Sequence, residues 1–159
     1  MWTTIDSPIG ELRLVAHDGA ITAIDFQPHP YADGRPRGDR VDDDPLLVEC
    51  ARQLAEYFAG DRTAFDLPLA PSGTEFQQRV WKELLTIGYG ATSTYGAIAL
   101  RLGLTGHGAR AVGLANGRNP IPIVIPCHRV VGADGTLTGY AGGVDRKQTL
   151  LELETDSLF

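Results

Sequence analysis

Cysteine is nearly absent from this chain: among 159 residues only Cys50 and Cys127 carry a thiol. Two cysteines make neither a disulfide framework nor a Cys-rich zinc module. Long hydrophobic runs are also missing, none approaching the roughly 18 residues needed to cross a bilayer. The opening stretch Met1 to Leu12 has no signal-peptide pattern. These absences exclude a secreted or membrane-spanning protein and lead to the expectation of a reduced, cytoplasmic one. What remains is ordinary globular material, 43% apolar and 21% charged, enough for one domain or a domain with a small appendage.

Acidic residues are missing altogether from positions 84–133, where Arg101, Arg110, Arg118 and Arg129 stand. The net charge of −6 taken whole argues against a polyanionic partner. Its distribution argues the other way. Residues 1–70 hold six basic and thirteen acidic side chains, whereas residues 71–159 hold eight and seven. Each phosphate contact needs a cation without a competing carboxylate nearby, so an acid-free stretch with spaced arginines suits nucleic acid. An apolar core with arginines scattered by chance reads the same way, and charge alone does not choose.

The first segment has the pattern of strands. Glu11 to Ala16 and Ala20 to Phe26 flank His17-Asp18-Gly19, a tight hairpin turn, and Thr3 to Ile5 adds a further strand. Residues 27–44 turn to Pro, Gly, Asp and Arg, as in a mobile loop or linker. A helix then begins with Asp44 as cap and Pro45 in its first position, and Leu47, Cys50, Leu54, Tyr57 and Phe58 recur at helical spacing before Gly60. Cys50 lies on that apolar stripe and reads as a packing residue. Phe65 to Leu69 is expected as an edge strand, because Pro68 cannot donate to a ladder.

A composition break at Ala70-Pro71-Ser72-Gly73 divides the chain into domains 1–70 and 71–159. Thr74 and Gln77 make a capping box for a helix carrying Phe76, Val80, Trp81, Leu84 and Leu85, ended by Gly88-Tyr89-Gly90. Helices over Tyr95 to Leu102 and His107 to Ala115 follow, joined by a short Gly-containing turn. That is the shape of a helix-turn-helix, though many helix pairs share it.

The chemistry points to Asn119-Pro120-Ile121-Pro122-Ile123-Val124-Ile125-Pro126-Cys127-His128-Arg129-Val130. Three prolines in seven residues forbid a regular helix and predict a stiff, extended, buried approach that holds the Cys127 side chain in one place. A free thiol is only a few per cent ionised at neutral pH, so a nucleophile needs a base or cation beside it. His128 is adjacent. Neighbouring side chains on an extended chain point apart, so contact runs through a bridging water or a local bend. A carboxylate should orient the imidazole, and Glu152 and Glu154 are both candidates on a C-terminal helix. A lone Cys-His pair is more often a buried thiol beside a surface imidazole; Pro-Cys-His-Arg-Val behind Asn-Pro-x-Pro-x-x-Ile is far more specific.

Ile125-Pro126-Cys127-His128-Arg129-Val130 resembles the active-site signature of the O6-alkylguanine-DNA alkyltransferases. The resemblance runs from Thr74 to Glu154 and takes in Tyr95 to Ala99, Ala109 to Gly113, Asn116 to Pro120 and Gly139 to Gly143. It implies an α+β protein, with an N-terminal ribonuclease-H-like antiparallel-sheet domain and a C-terminal helix-turn-helix domain holding the cysteine. Cys127 would take an alkyl group from O6-alkylguanine, with O4-alkylthymine as a further substrate, in a single irreversible turnover. His128 would act as its base through water, Glu154 would orient the imidazole, and Asn119 would hold the preceding turn. Arg110 would fill the space left by a flipped nucleotide. Tyr95 would press the target phosphate and help protonate the leaving guanine. Backbone at Val130 and Ala141 would bind the base edge; the family often has Ser where Ala141 stands, so a hydroxyl role would be lost.

The implied partner is double-stranded DNA, met by a monomer that can assemble cooperatively along it, with no membrane and no cofactor. Some relatives carry zinc in the front domain, but Cys50, His17 and His29 have no ligand spacing, so no metal is expected. His107 reads as a solvated histidine that is able to touch phosphate. A Cys-His hydrolase that turns over an acyl substrate and a non-catalytic DNA-binding module are the rival readings.

Overall fold

The computed structural model describes residues 1–27, 37–137, 140 and 142–156. The chain forms two compact units, Met1–Ser72 and Gly73–Phe159. In the first, β1 (Trp2–Ile5), β2 (Leu12–His17) and β3 (Ala20–Phe26) form an antiparallel sheet in that order. Leu14 pairs with Thr3 on one side and Ile24 on the other. Asp18 at φ 50° and Gly19 at φ 77° both take positive φ, which a two-residue hairpin turn requires to match the strand twist. Helix α1 (Pro45–Phe58) packs on the sheet through Leu47, Cys50, Leu54 and Tyr57, and the Asp44 carboxylate accepts the Leu47 N–H at 3.0 Å to cap it. Burial pushes the Cys50 thiol up to about 12, so it stays a protonated packing group.

Two sequence expectations are corrected in this unit. Phe65 to Leu69 is not a strand; it meets the sheet in one parallel bridge, Ile21 with Leu69, where Ile21 N–H donates to Pro68 O and Ala70 N–H to Ile21 O. Pro68 can accept but not donate, and the ladder stops there. The stretch expected to be a loose linker is tied down from residue 37 onward. Arg37 and Arg13 both donate to the buried Asp25 carboxylate. Thr3 donates to Asp42, and Val41 N–H to Trp2 O. Composition hid these anchors because they are polar. Residues 28–36, with His29 among them, lie outside the described residues.

The second unit is helical. In α2 (Glu75–Leu84) the capping box forms in both directions between Thr74 and Gln77. The helix ends at Leu84, and Leu85 is half exposed rather than core. Helix α3 (Tyr95–Arg101) starts with Thr94 accepting from Ala97 N–H, and α4 (Gly108–Gly117) begins one residue later and ends two later than the sequence pattern indicates. A Cβ on Gly108 would sit 2.7 Å from Leu104 Cβ and 3.2 Å from Ala99 Cβ, so this glycine is there for close packing of α3 on α4. A second helix contact comes from Trp81, whose indole N–H donates to Ala115 O at 2.9 Å. Strands β4 (Ser93–Thr94) and β5 (Val130–Val131) pair in parallel, and α5 (Val144–Asp156) follows. Among the described residues, no helix is long and apolar enough to cross a membrane.

The proline segment is buried as expected but is not extended. Val124 N–H donates to Pro122 O, Ile125 N–H to Ile121 O, and Cys127 N–H to Ile125 O, so the chain coils through successive turns. Ile123 sits at φ 75°, a conformation that costs a β-branched residue on the order of 1–3 kcal/mol. Prolines forbid helix and ladder alike; they do not by themselves select extension.

Candidate active site

The coiled segment ends in a single 3-10 turn, Cys127–Arg129, and that turn delivers the thiol. Cys127 is 4% exposed. Asn119 holds the approach from inside: its Nδ2 donates to Ile125 O at 2.8 Å and its Oδ1 accepts Ile121 N–H at 3.0 Å. Asn116, at the end of α4, donates from Nδ2 to Cys127 O at 3.3 Å. Burial pushes the thiol up to about 11, opposed by hydrogen bonding from Asn119 and by the positive charge of Lys147. At rest Cys127 is therefore a protonated thiol, and ionising it requires a base.

His128 is fully buried, and Glu154 is 1% exposed. The imidazole Nε2 lies 2.6 Å from Glu154 Oε2. An ionised carboxylate only accepts, so Nε2 carries the proton and Nδ1 of the neutral ring keeps its lone pair. Among the described residues no group satisfies His128 Nδ1 or Asn116 Oδ1, although both are buried. Burial lowers the imidazole below its usual range; the hydrogen bond and charge of Glu154 oppose this, and Arg129 and Lys147 add to it. A neutral imidazole with a bare, buried Nδ1 is the state a general base needs.

Glu154 does more than the sequence foretells. Its Oε1 accepts from Arg129 Nε at 2.8 Å and from Gly90 N–H at 3.3 Å, and its Oε2 accepts from Arg129 Nη2 at 3.0 Å. Arg129 also donates to Ile87 O at 2.7 Å. Helix α5 presents Lys147, Leu150 and Glu154 on its buried face, whereas Glu152 is exposed and pairs with Gln148. The choice between the two glutamates thus falls to 154. Lys147 Nζ donates to Val130 O and lies 5.8 Å from the centre of the Tyr95 ring. A Cβ on Gly113 would come within 3.7 Å of that ring, so Tyr95 stands between α4 and the cationic group.

The structure accordingly brings Cys127, His128, Asn119, Val130 and Glu154 together, with Tyr95 joined to them through Lys147. Arg110 stands apart, exposed on α4. Ala141 lies outside the described residues. His107 is exposed at the start of α4 and makes no capping bond. Sequence reasoning missed Lys147, Asn116 and the bridging role of Arg129. Lys147 was within reach of it: seven residues before Glu154 is two helical turns, hence the same face. Among the described residues there is no group of three or more His, Cys, Asp or Glu side chains able to hold a metal ion.

Comparison with known proteins gives this arrangement a family. Residues 75–156 match the model of the DNA binding domain of 6-O-methylguanine DNA methyltransferase, and residues 1–71 match that of its ribonuclease-like domain. The chain belongs to the 6-O-methylguanine DNA methyltransferase family. The methylated-DNA–protein-cysteine methyltransferase of Mycobacterium tuberculosis is 52% identical over 153 residues, 96% of this chain and 91% of that protein. Its namesake from Methanosarcina barkeri is 48% identical over 158 residues, covering 97% and 96%. The crystal structure of the M. tuberculosis O6-methylguanine methyltransferase superposes with a TM-score of 0.88 at 51% identity, covering 98% of this chain and 93% of that one. Membership in this methyltransferase family carries the coarse activity with it: DNA repair by transfer of an alkyl group from methylated DNA to a protein cysteine.

Proposed function

We propose that Cys127 is the acceptor and that it is consumed in one turnover. The observation that carries this reading is the neutral His128, anchored at Nε2 by Glu154, with no partner for Nδ1 among the described residues, and next in the chain to a thiol that burial keeps protonated. The proton leaves Sγ for Nδ1 through a water, and the thiolate attacks the alkyl carbon of O6-alkylguanine. The S–C bond forms as the C–O6 bond breaks. Guanine departs with the bonding pair and takes a proton from the Tyr95 hydroxyl, which His128 restores. The products are a thioether and unmodified guanine, and water does not reverse a thioether, so the chain is both transferase and acceptor. Lys147 favours the thiolate and fixes the Val130 carbonyl, whose second lone pair stays available for the base edge.

A thiol this buried is out of reach of a base stacked in a duplex, so the nucleotide is flipped out at a cost of a few kcal/mol. Arg110 on the exposed face of α4 enters the gap and offsets part of that cost. O4-alkylthymine, which presents an alkyl group at an equivalent edge, is a second substrate. The protein acts as a monomer on DNA, without cofactor, with little sequence preference because phosphate contacts carry none. Several copies assemble along one duplex. A reduced thiol requires a reducing compartment, in keeping with the cytoplasm.

The test is a titration. Duplex carrying O6-methylguanine is mixed with increasing protein, and restored guanine is counted. One guanine per protein molecule, and none with Cys127→Ala, is the expected result. Multiple turnovers, or repair that persists in Cys127→Ala, overturns the reading.

A further inference from the structure

The face of α4 that carries Arg110 is otherwise made of small residues, with one exception. Leu114 is 67% exposed, among the most exposed large apolar side chains of the protein. It stands four residues after Arg110 and four before Arg118, all three exposed and on one side of the helix or its C-cap. The opposite side, Val112, Ala115 and Asn116, faces the core. Positions i and i+4 are about 6 Å apart, less than two base-pair steps of 3.4 Å each. Leu114 is therefore carried to the DNA by the same approach that brings Arg110.

We infer that Leu114 is an apolar wedge that packs against the nucleotide beside the gap Arg110 fills, and so positions duplex substrate for transfer. The inference rests on the proposed insertion of Arg110. Two arginines bracket the leucine, and residues 84–133 hold no carboxylate, so the surface around it complements phosphate. Unstacked base and sugar are apolar surfaces, and a branched aliphatic side chain covers them at the point where stacking is lost. An alanine there would leave that surface wet, while the fold would not suffer, since alanine is the better helix former and the site is exposed.

The experiment compares Leu114→Ala, Leu114→Met and Arg110→Ala with the parent on three substrates. These are a lesion duplex short enough for one protein only, a long lesion duplex, and free O6-benzylguanine. Leu114→Ala is expected to lose roughly tenfold in rate on the short duplex, with a far smaller loss on the free base, and Leu114→Met to recover most of it. An unchanged short-duplex rate while Arg110→Ala falls overturns the wedge and leaves the insertion standing. A loss confined to the long duplex moves Leu114 to a contact between protein copies and also overturns it. If neither variant separates duplex from free base, the insertion of Arg110 fails first and the wedge with it.

Discussion

Replacing Glu154 by Gln keeps the side chain's shape, removes its charge and leaves its donors short of an acceptor. The carboxylate accepts from His128, twice from Arg129 and from Gly90 N–H, all within 3.3 Å. Gln offers one acceptor oxygen, and its NH2 must face a guanidinium or an imidazole N–H that also donates. Arg129, with a side chain 8% exposed, then stays buried without its counter-ion. Breaking a buried pair from one side costs about 3–5 kcal/mol. For a unit of this size that lowers the melting temperature by at least roughly 12 °C. His128 loses the group that fixes its tautomer, and alkyl transfer falls roughly 10- to 100-fold, in line with other groups that orient a reactive imidazole. The assays are calorimetry of the protein without DNA and single-turnover transfer from free O6-benzylguanine, measured well below the transition. A variant that melts with the parent and reacts at the parent's rate would strip Glu154 of both roles.

The pH dependence of transfer distinguishes a base-assisted thiol from a free one. His128 is held below its usual range and Cys127 is pushed up to about 11. Between those values the balance between thiol–imidazole and thiolate–imidazolium does not depend on pH, so the rate is flat from about pH 7 to 9. In His128→Ala the rate climbs about tenfold per pH unit; a flat profile there removes the imidazole from the mechanism. The same depressed His128 pKa acts on stability. Below the ordinary histidine value the unfolded chain binds a proton that the folded one refuses, so stability present above that value is lost as pH falls through it toward the folded pKa. Denaturant midpoints from pH 7 to 5 check this, and no decline that is relieved by His128→Gln would contradict it. Arg110→Ala should weaken transfer from duplex much more than transfer from the free base, and equal losses in stopped-flow assays would remove its role in the gap.

The sequence foretold local elements where a backbone rule had a side chain to announce it. Asp44 before Pro45, Thr74 with Gln77, and Asp18-Gly19 each mark a cap or turn whose chemistry is local, and each stands where expected. Rules that only forbid were weaker guides. The prolines of residues 120–126 excluded helix, yet the coil they adopt depends on Asn119, which bonds across six residues to Ile125. Polar anchoring was illegible for the same reason: Asp25 gathers Arg13 and Arg37 from different segments, and Lys147 reaches Val130 from another element. Within the site, Cys127 and His128 were legible because a specific motif surrounds them. The choice of Glu154 over Glu152 came only from the resemblance. The structure supplies its physical reason, since only position 154 shares the buried face of α5 with Lys147 and Leu150.

The proposed mechanism turns on the Cys127 sulfur keeping the alkyl group. Tryptic mapping by mass spectrometry, after one equivalent of O6-methylguanine duplex, measures this directly. The peptide containing Cys127 is expected to gain the mass of one CH2 group in step with restored guanine, while the peptide containing Cys50 is unchanged. Repaired DNA with an unmodified Cys127 peptide would contradict it.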